Sequence, residues 1–446
     1  MYKRQPLYYL LLNFWTRVFG TADLTLRLFS MVWTVASFPV LCLVAHRLGG
    51  RRAVLPAAAL LGAAPLTLHY ATEGRMYSML WFLAVVLAAL TIELQRQGRR
   101  NVFVLLWIFV GTAGFLTHYF FAFVWVVCAV WLFLRPGLLA RSQVLASAVA
   151  TGLLILPWYA MVPGILGRWR ITGDWLYKPL ARSEAVLAPF ELAWNFVSGP
   201  RWSGPEMGDW AAGLMIGLIA FAGWRHSPST LFSERRALIW LWLVAACLGP
   251  VAFDLLNGTG TARYPRYALG GSPAAILLLA YGVSLLSSKL RTVTVLALVL
   301  AWSQGVFALF SVSDRQGQSF KRIAASISSS IGASDVVLVH SIPSGVLALA
   351  RYLDPNVQVA SWVGQLGQRH VPEDVWELTR GATGVVLVKI HDVGEPAPEE
   401  DWLREHAVVV KQTRQKNGRI VTFAPRGFEK FAWTRSESEE AVSLIR

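Results

Sequence analysis

The sequence predicts an α-helical polytopic membrane protein with about ten spans and a small α/β domain at its C-terminus. Of the 446 residues, 55% are hydrophobic and only 15% are charged, whereas about a quarter of the residues in soluble domains are charged. Apolar runs of roughly bilayer length recur as far as residue 311. Beyond that point short valine-rich segments alternate with helical patterns, which is typical of a small α/β domain.

The N-terminal part is assigned from the lengths of its apolar segments. Residues 7–19 are apolar and aromatic but only about half a span long, which predicts a helix lying in the membrane interface. Ten longer apolar runs follow, at residues 26–46, 53–71, 76–94, 102–117, 119–134, 143–163, 209–224, 237–256, 267–286 and 292–311. We therefore assign residues 1–311 to a transmembrane domain and residues 312–446 to a second domain.

Charge in the loops sets the orientation. Arginine clusters occupy every second loop, starting with the basic loop at residues 47–52. Arginine-rich loops stay in the cytoplasm, so the loops between them are expected on the other side of the membrane. The C-terminal domain continues this alternation and is expected outside the cytoplasm, with the protein in a bacterial inner membrane. Ten spans would also place the N-terminus outside, yet no signal peptide precedes it, so the pattern predicts a further helix upstream of Met1.

The net charge of +15 follows largely from these basic loops. It therefore indicates topology and contact with headgroups, and we expect membrane lipids and no nucleic acid among the partners. The three cysteines, Cys42, Cys128 and Cys247, lie inside apolar runs. Their placement predicts small buried side chains, with neither a disulfide framework nor a metal site.

Residues 312–446 predict a partly parallel sheet covered by helices. Neither a dinucleotide-binding G-x-G-x-x-G pattern nor a P-loop occurs among them, so the domain gives no sign of binding a nucleotide. The tail after Phe431 is polar and is expected to be disordered.

Polar clusters that are costly for a membrane protein all fall on the predicted outer side. They contain Tyr70, Glu73, Arg75 and Tyr77; His118 and Tyr119; Asp254; and Arg263, Arg266 and Tyr267. A charge beside hydrocarbon costs roughly 3 kcal/mol unless it is paired or faces water. Each cluster alone is also explained by interfacial anchoring, with Glu73 paired to Arg75 and the other arginines snorkelling to headgroups. Their convergence on one side favours a site for a phosphate-bearing lipid, since arginine offers phosphate a bidentate fork.

Four segments carry a resemblance to a known family. They are PLYYLLLNFWTRVFGTADLTLRLFS at residues 6–30, YATEGRMYSML at residues 70–80, LTHYFF at residues 116–121 and ARYPRYALGGSPAAILLLAYG at residues 262–282. They resemble the polyprenyl-phosphate-sugar-dependent transferases of glycosyltransferase family 39, which have the GT-C fold. That family includes the protein O-mannosyltransferases and the aminoarabinose transferase of lipid A. The resemblance spans roughly residues 5–310, and E-x-R-M-Y is a fairly specific motif in it.

The resemblance implies a sugar donor linked to a polyprenyl monophosphate, with no nucleotide and no certain cofactor; the need for a divalent metal stays open. An acceptor hydroxyl would attack the anomeric carbon in one inverting step, assisted by a carboxylate base, while arginines stabilise the departing phosphate. The family's loop residues correspond to Glu73, Arg75 and Tyr77. The donor phosphate side corresponds to Arg266 and Tyr267, and Arg263, at the same helix start, is expected to bind the phosphate with them. The cavity lining is expected to include Tyr70, Tyr77, His118 and Tyr119.

Two departures from the family pattern bear on catalysis. The family's catalytic aspartate lies well upstream of P-L-Y-Y and has no counterpart here, and Gln5 replaces the histidine before that motif. The main base is therefore expected upstream of Met1. Glu73 is expected to order the cavity in a supporting role, held ionised by Arg75.

These observations favour a membrane glycosyltransferase that acts on an extracytoplasmic acceptor, with glycan, lipid and protein acceptors all open. Two alternatives also stay open: a transporter or flippase for lipid-linked sugars, and an inactive scaffold homologue. A transporter predicts polar residues at mid-bilayer on several helices. The sequence has few of these, which favours the enzyme.

Overall fold

The computed structural model of the chain describes residues 6–97, 101–135, 137, 139–168, 178–199, 205–226, 232, 234–311, 320–329, 331–341, 343–362, 370–390, 397–415, 418–427 and 430–432. Gln5 lies outside the described residues. So do residues 433–446, which belong to the tail for which the sequence predicts disorder. The chain divides into two compact units, one ending at Ser311 and the other drawn mainly from the residues after it.

The described part of the first unit is built from helices. They are α1 (Pro6–Phe19), α2 (Asp23–Gly49), α3 (Arg51–Ala63), α4 (Pro65–Ala71), α5 (Tyr77–Gln97), α6 (Asn101–Phe115), α7 (Phe121–Leu134), α8 (Arg141–Arg168), α9 (Arg182–Ser198), α10 (Pro205–His226), α11 (Glu234–Asn257), α12 (Ser272–Ser284) and α13 (Ser288–Ser311). Each predicted apolar run overlaps a helix, but the run at residues 53–71 is split into α3 and α4, which meet at an angle of 58°. The split falls before Pro65, because a proline disfavours helical geometry in the residue that precedes it.

The chain is an integral membrane protein, as predicted. Among the described helices, α2, α5, α8 and α11 are long and apolar enough to cross a membrane, and α3 with α4 would add a fifth span. Helices α6 and α7 and parts of the α10 and α12 regions are apolar but shorter. The predicted count of about ten spans therefore requires the shorter helices to cross as well.

Helices α5 and α12 lie at the centre of the first unit. Every residue of α12 is buried, and most of α5 is buried too. Helix α8 instead exposes a run of leucines that includes Leu153 and Leu154, which suits contact with lipid tails. The two central helices position two of the predicted clusters, because Tyr77 begins α5 and three 3₁₀ turns within residues 261–271 lead into α12.

Helix α1 is fixed at its N-terminal end beside the turn between α6 and α7. The Leu7 N–H donates to the Leu116 carbonyl at 3.1 Å, and the buried Tyr8 hydroxyl shares a hydrogen bond of 2.8 Å with Ser30. Another side of the helix exposes apolar residues such as Phe14. This apolar face fits the predicted place in the membrane interface, which stays a prediction.

The second unit is an α/β domain with a five-stranded sheet, which confirms the predicted class. Its elements are α14 (Phe320–Ser328), β1 (Val336–His340), α15 (Pro343–Ala350), β2 (Gln358–Trp362), α16 (Glu373–Thr379), β3 (Val385–Ile390), α17 (Pro398–His406), β4 (Ala407–Gln415) and β5 (Gly418–Pro425). The strand order is β2-β1-β3-β5-β4. Strands β2, β1 and β3 are parallel, and β5 runs antiparallel to both of its neighbours, β3 and β4. Strands β1 and β3 are valine-rich throughout because both of their faces are buried.

Candidate active site

The turn between α4 and α5 carries the first predicted cluster. Gly74 has a φ of +71°, a conformation that side chains with a Cβ rarely adopt, and it lets Glu73 and Arg75 turn towards each other. Their side chains form the predicted ion pair, with Glu73 Oε1 at 3.3 Å from Arg75 Nη1.

Two opposing effects act on the Glu73 carboxyl. Burial raises its pKa above the usual value, although Arg75 and Arg266 both act to lower it. The cost of removing the carboxylate from water therefore outweighs the effect of the two guanidinium groups. Its Oε2 atom is buried and has no hydrogen-bond partner within the described part of the chain.

A continuous row of rings joins three of the four predicted clusters. The ring centroids of Tyr70 and Tyr77 lie 4.8 Å apart, those of Tyr77 and His118 lie 6.0 Å apart, and those of His118 and Tyr267 lie 6.4 Å apart. The fold thus brings together residues that are far apart in the sequence, as their placement on one side of the membrane predicted. Tyr119 lies off this row and packs edge-on against Tyr159 at 5.6 Å.

His118 stands in the middle of the row, in the turn between α6 and α7. Its Nδ1 accepts a hydrogen bond from the Phe120 N–H at 3.2 Å, so the neutral ring carries its proton on Nε2. Burial, helped by the positive charge of Arg266, lowers the pKa of His118 to about 4. At neutral pH the imidazole is therefore uncharged and can donate from Nε2.

Arg266 lies beside Tyr267, at the end of the row formed by that ring. Its guanidinium stacks on the rings of Tyr264, at 4.9 Å from the centroid, and Tyr267, at 5.1 Å, an arrangement that fixes the plane of the fork. Arg266 is also close enough to Glu73 and His118 to shift the pKa of each. Two guanidinium groups, Arg75 and Arg266, thus face one carboxylate and a group of phenols.

Arg263 is placed differently from Arg266. Its Nη2 atom forms an ion pair with Glu184 Oε2 at 2.7 Å, and its guanidinium also donates to the carbonyls of Lys178 at 2.7 Å and Pro179 at 2.9 Å. The sequence grouped it with Arg266 because only two residues separate them. The structure directs its fork towards the start of α9, and contact with a donor phosphate stays a prediction for Arg263.

Two residues that organise this region were not given a role by the sequence. The carboxylate of Asp254 is buried and accepts hydrogen bonds from the Thr261 and Ala262 N–H groups, at 2.8 and 2.7 Å, and from the hydroxyls of Thr259 and Thr261. The Ser30 hydroxyl donates to the Arg75 carbonyl at 3.1 Å and so ties α2 to the Glu73 turn. The sequence could have indicated the role of Asp254, because this carboxylate lies near the end of an apolar helix and the segment T-G-T at residues 259–261 follows it. Nothing in the sequence indicated the role of Ser30.

The described residues contain no group of three or more His, Cys, Asp or Glu side chains that could hold a metal ion. The cysteines are free, with Cys128 and Cys247 buried and Cys42 half-buried. The guanidinium groups of Arg75 and Arg266 suit the binding of an anion.

No family model matches the sequence, and no curated protein matches it. The structure is similar to that of ArnT from Cupriavidus metallidurans in the apo state, with a TM-score of 0.66 and 13% identity over 97% of this chain and 89% of that chain. ArnT bound to undecaprenyl phosphate matches with the same TM-score, 15% identity and coverage of 97% and 90%. The Archaeoglobus fulgidus oligosaccharyltransferase matches more weakly, with a TM-score of 0.49, 12% identity and coverage of 87% and 59%. The chain therefore has the predicted GT-C fold.

Proposed function

We propose that this protein is a membrane glycosyltransferase that moves a sugar from a polyprenyl phosphate to an extracytoplasmic acceptor hydroxyl. The observation that carries the proposal is the meeting of Arg75, Arg266 and Glu73 with a row of aromatic rings. This cluster lies in a fold that ArnT also has, and ArnT has been crystallised with undecaprenyl phosphate. The arginine-rich alternate loops support a place in the bacterial inner membrane with the C-terminal domain outside.

The arginines suit the leaving group of such a reaction. Transfer of the sugar leaves a polyprenyl phosphate whose negative charge grows as the glycosidic bond breaks. Guanidinium groups that are already held in place stabilise that charge without reorganising at the moment of reaction. Arg266 is held by two tyrosine rings and Arg75 by Glu73, so both are fixed before the donor binds.

The neighbouring polar groups suit a sugar. Neutral His118 offers a donor at Nε2, and Tyr70, Tyr77 and Tyr267 offer phenol groups and ring faces on which a sugar can pack. We assign Glu73 the role of holding Arg75 and ordering the cavity. Its unpartnered Oε2 is where an acceptor hydroxyl would bind if Glu73 were instead the general base.

Sugar transfer by the protein isolated from its native membrane tests the proposal. The protein is reconstituted in liposomes with undecaprenyl-phosphate-linked sugars, and with an extract of the same cells as the source of acceptor. We expect release of undecaprenyl phosphate together with labelled acceptor, and loss of both in Arg266→Ala. Movement of an intact lipid-linked sugar across the bilayer without release would support a carrier and contradict the transferase.

A further inference from the structure

We infer that Arg263 and Glu184 form a clamp that positions the loop bearing Arg266, and that neither side chain binds the donor phosphate. The inference rests on the proposed function, because Arg266 is the residue proposed to bind that phosphate. It makes Arg263 a positioning residue, although the sequence grouped it with the phosphate ligands.

The contacts of Arg263 leave little of its fork for a ligand. An arginine side chain has five N–H donors. The Nη1 atom donates to the Lys178 carbonyl at 2.7 Å, and Nη2 donates both to the Pro179 carbonyl at 2.9 Å and to Glu184 at 2.7 Å. In addition, the Nε atom of Arg263 lies 3.5 Å from Glu184 Oε1. A phosphate could bind the fork through two parallel hydrogen bonds only by breaking contacts that hold the chain just before α9.

Glu184 is committed to the same place. Its Oε2 accepts the Ala181 N–H at 2.9 Å, which caps the start of α9. Hydrogen bonds from Arg263 and then from Ala181 lower the pKa of Glu184, so it stays ionised near neutral pH. Moving Glu184 away from Arg263 would therefore also disturb the first turn of the helix.

The loop that carries Arg263 leaves space for its guanidinium at Gly260. A Cβ added at Gly260 would lie 2.2 Å from Arg263 Nη1 and 2.8 Å from the Lys178 carbonyl oxygen, so a side chain there would displace the guanidinium. Asp254 fixes the backbone of residues 261 and 262 through its two oxygens. The segment from Asp254 to Arg263 is thus held at both ends.

Arg266 lies in the next 3₁₀ turn, Pro265–Tyr267, directly after the turn Thr261–Arg263. Because the two turns are consecutive, the position of Arg263 sets where the Arg266 turn begins. A misplacement of about 1 Å can cost a hundredfold in rate when a group must meet a charged centre. The clamp therefore acts on the donor phosphate through Arg266.

Charge exchange across the clamp tests this inference in the full-length protein. Binding of undecaprenyl phosphate is measured for Arg263→Glu, Glu184→Arg and the double variant, with Arg182→Glu as the control. Arg182 is exposed on the same turn of α9, so it matches the charge change. We expect each single clamp variant to bind at least tenfold more weakly, the double variant to recover to within threefold of the wild type, and the control to be unchanged.

A second cycle distinguishes action through Arg266 from a general loss of structure. In an Arg266→Ala background, Arg263→Gln should weaken binding no further, because the residue it positions is gone. Arg263→Gln also serves where the charge-reversed variants do not reach the membrane. If the double variant stays as weak as Arg263→Glu, or if Arg263→Gln adds its full effect to Arg266→Ala, the clamp is overturned. If the wild type does not bind undecaprenyl phosphate, the proposed function fails and the inference fails with it.

Discussion

Replacement of Arg266 should weaken binding of the polyprenyl phosphate more than any other single change at the row of rings. The guanidinium stacks on Tyr264 and Tyr267, so its plane is fixed and little entropy is lost when phosphate binds. A hydrogen bond to a charged group contributes about 1.5–3 kcal/mol. Since each 1.4 kcal/mol is about tenfold in affinity, Arg266→Ala should weaken binding by about 10- to 100-fold. Arg266→Lys keeps the charge but loses the fork and the stacking, and we expect nearly the same loss.

The assay is equilibrium binding of undecaprenyl phosphate to purified protein in detergent, followed through the quenching of tryptophan fluorescence. Arg182→Ala, which removes an exposed arginine of α9, controls for the loss of one positive charge. A stability scan of each variant shows whether it is folded. Undiminished binding by folded Arg266→Ala would refute the assignment of Arg266 to the donor phosphate.

Three further predictions concern the neighbours of Arg266. Glu73→Gln should reduce sugar transfer and leave part of it, because the geometry survives while the charge that holds Arg75 is lost; complete loss with intact donor binding would make Glu73 the general base. The pKa of His118 is lowered in the folded protein, so below about pH 6.5 the unfolded state binds more protons and stability falls as the pH drops towards 4. Between pH 6.5 and 4, the melting temperature of His118→Gln should therefore change less than that of the wild type. An identical pH profile for the two proteins would contradict the argument. Asp254→Asn should lower the melting temperature, since its amide would face the Ala262 N–H at a cost of about 1–3 kcal/mol; an unchanged value would show that the loop does not depend on the carboxylate.

The sequence predicted the helices and the meeting of the polar clusters because both follow from local patterns. Apolar length indicates candidate spans, and the loop arginines predict which loops share one side of the membrane. Clusters that share one side of a membrane have few places in which to lie, so the meeting of Glu73, His118 and Tyr267 could be anticipated. The alternation of strands and helices likewise predicted the α/β class of the second unit.

The partners of individual side chains could not be predicted in the same way. Nothing near Arg263 in the sequence marks Glu184, which is 79 residues away, as its partner. Tyr119 follows His118 directly, but neighbours in a turn point in different directions, and Tyr119 packs on Tyr159 instead. These choices depend on tertiary packing, which spacing along the chain does not record.

The pKa of Glu73 gives the same lesson in electrostatic terms. A sequence shows that an arginine stands two residues away, and this proximity indicates that the carboxylate has a partner that favours its ionised form. It does not show how much water the fold removes from the carboxylate. Burial proved the larger effect, and it raises the pKa of Glu73.

Photo-crosslinking with an undecaprenyl phosphate analogue tests most directly whether the ring row and its arginines form the donor site. A photoreactive group placed next to the phosphate should label residues 70–77 and 263–267, and excess undecaprenyl phosphate should abolish the labelling. Arg266→Ala should reduce labelling in both segments together. Labelling confined to the lipid-exposed surface of α8, and unaffected by Arg266→Ala, would contradict the account.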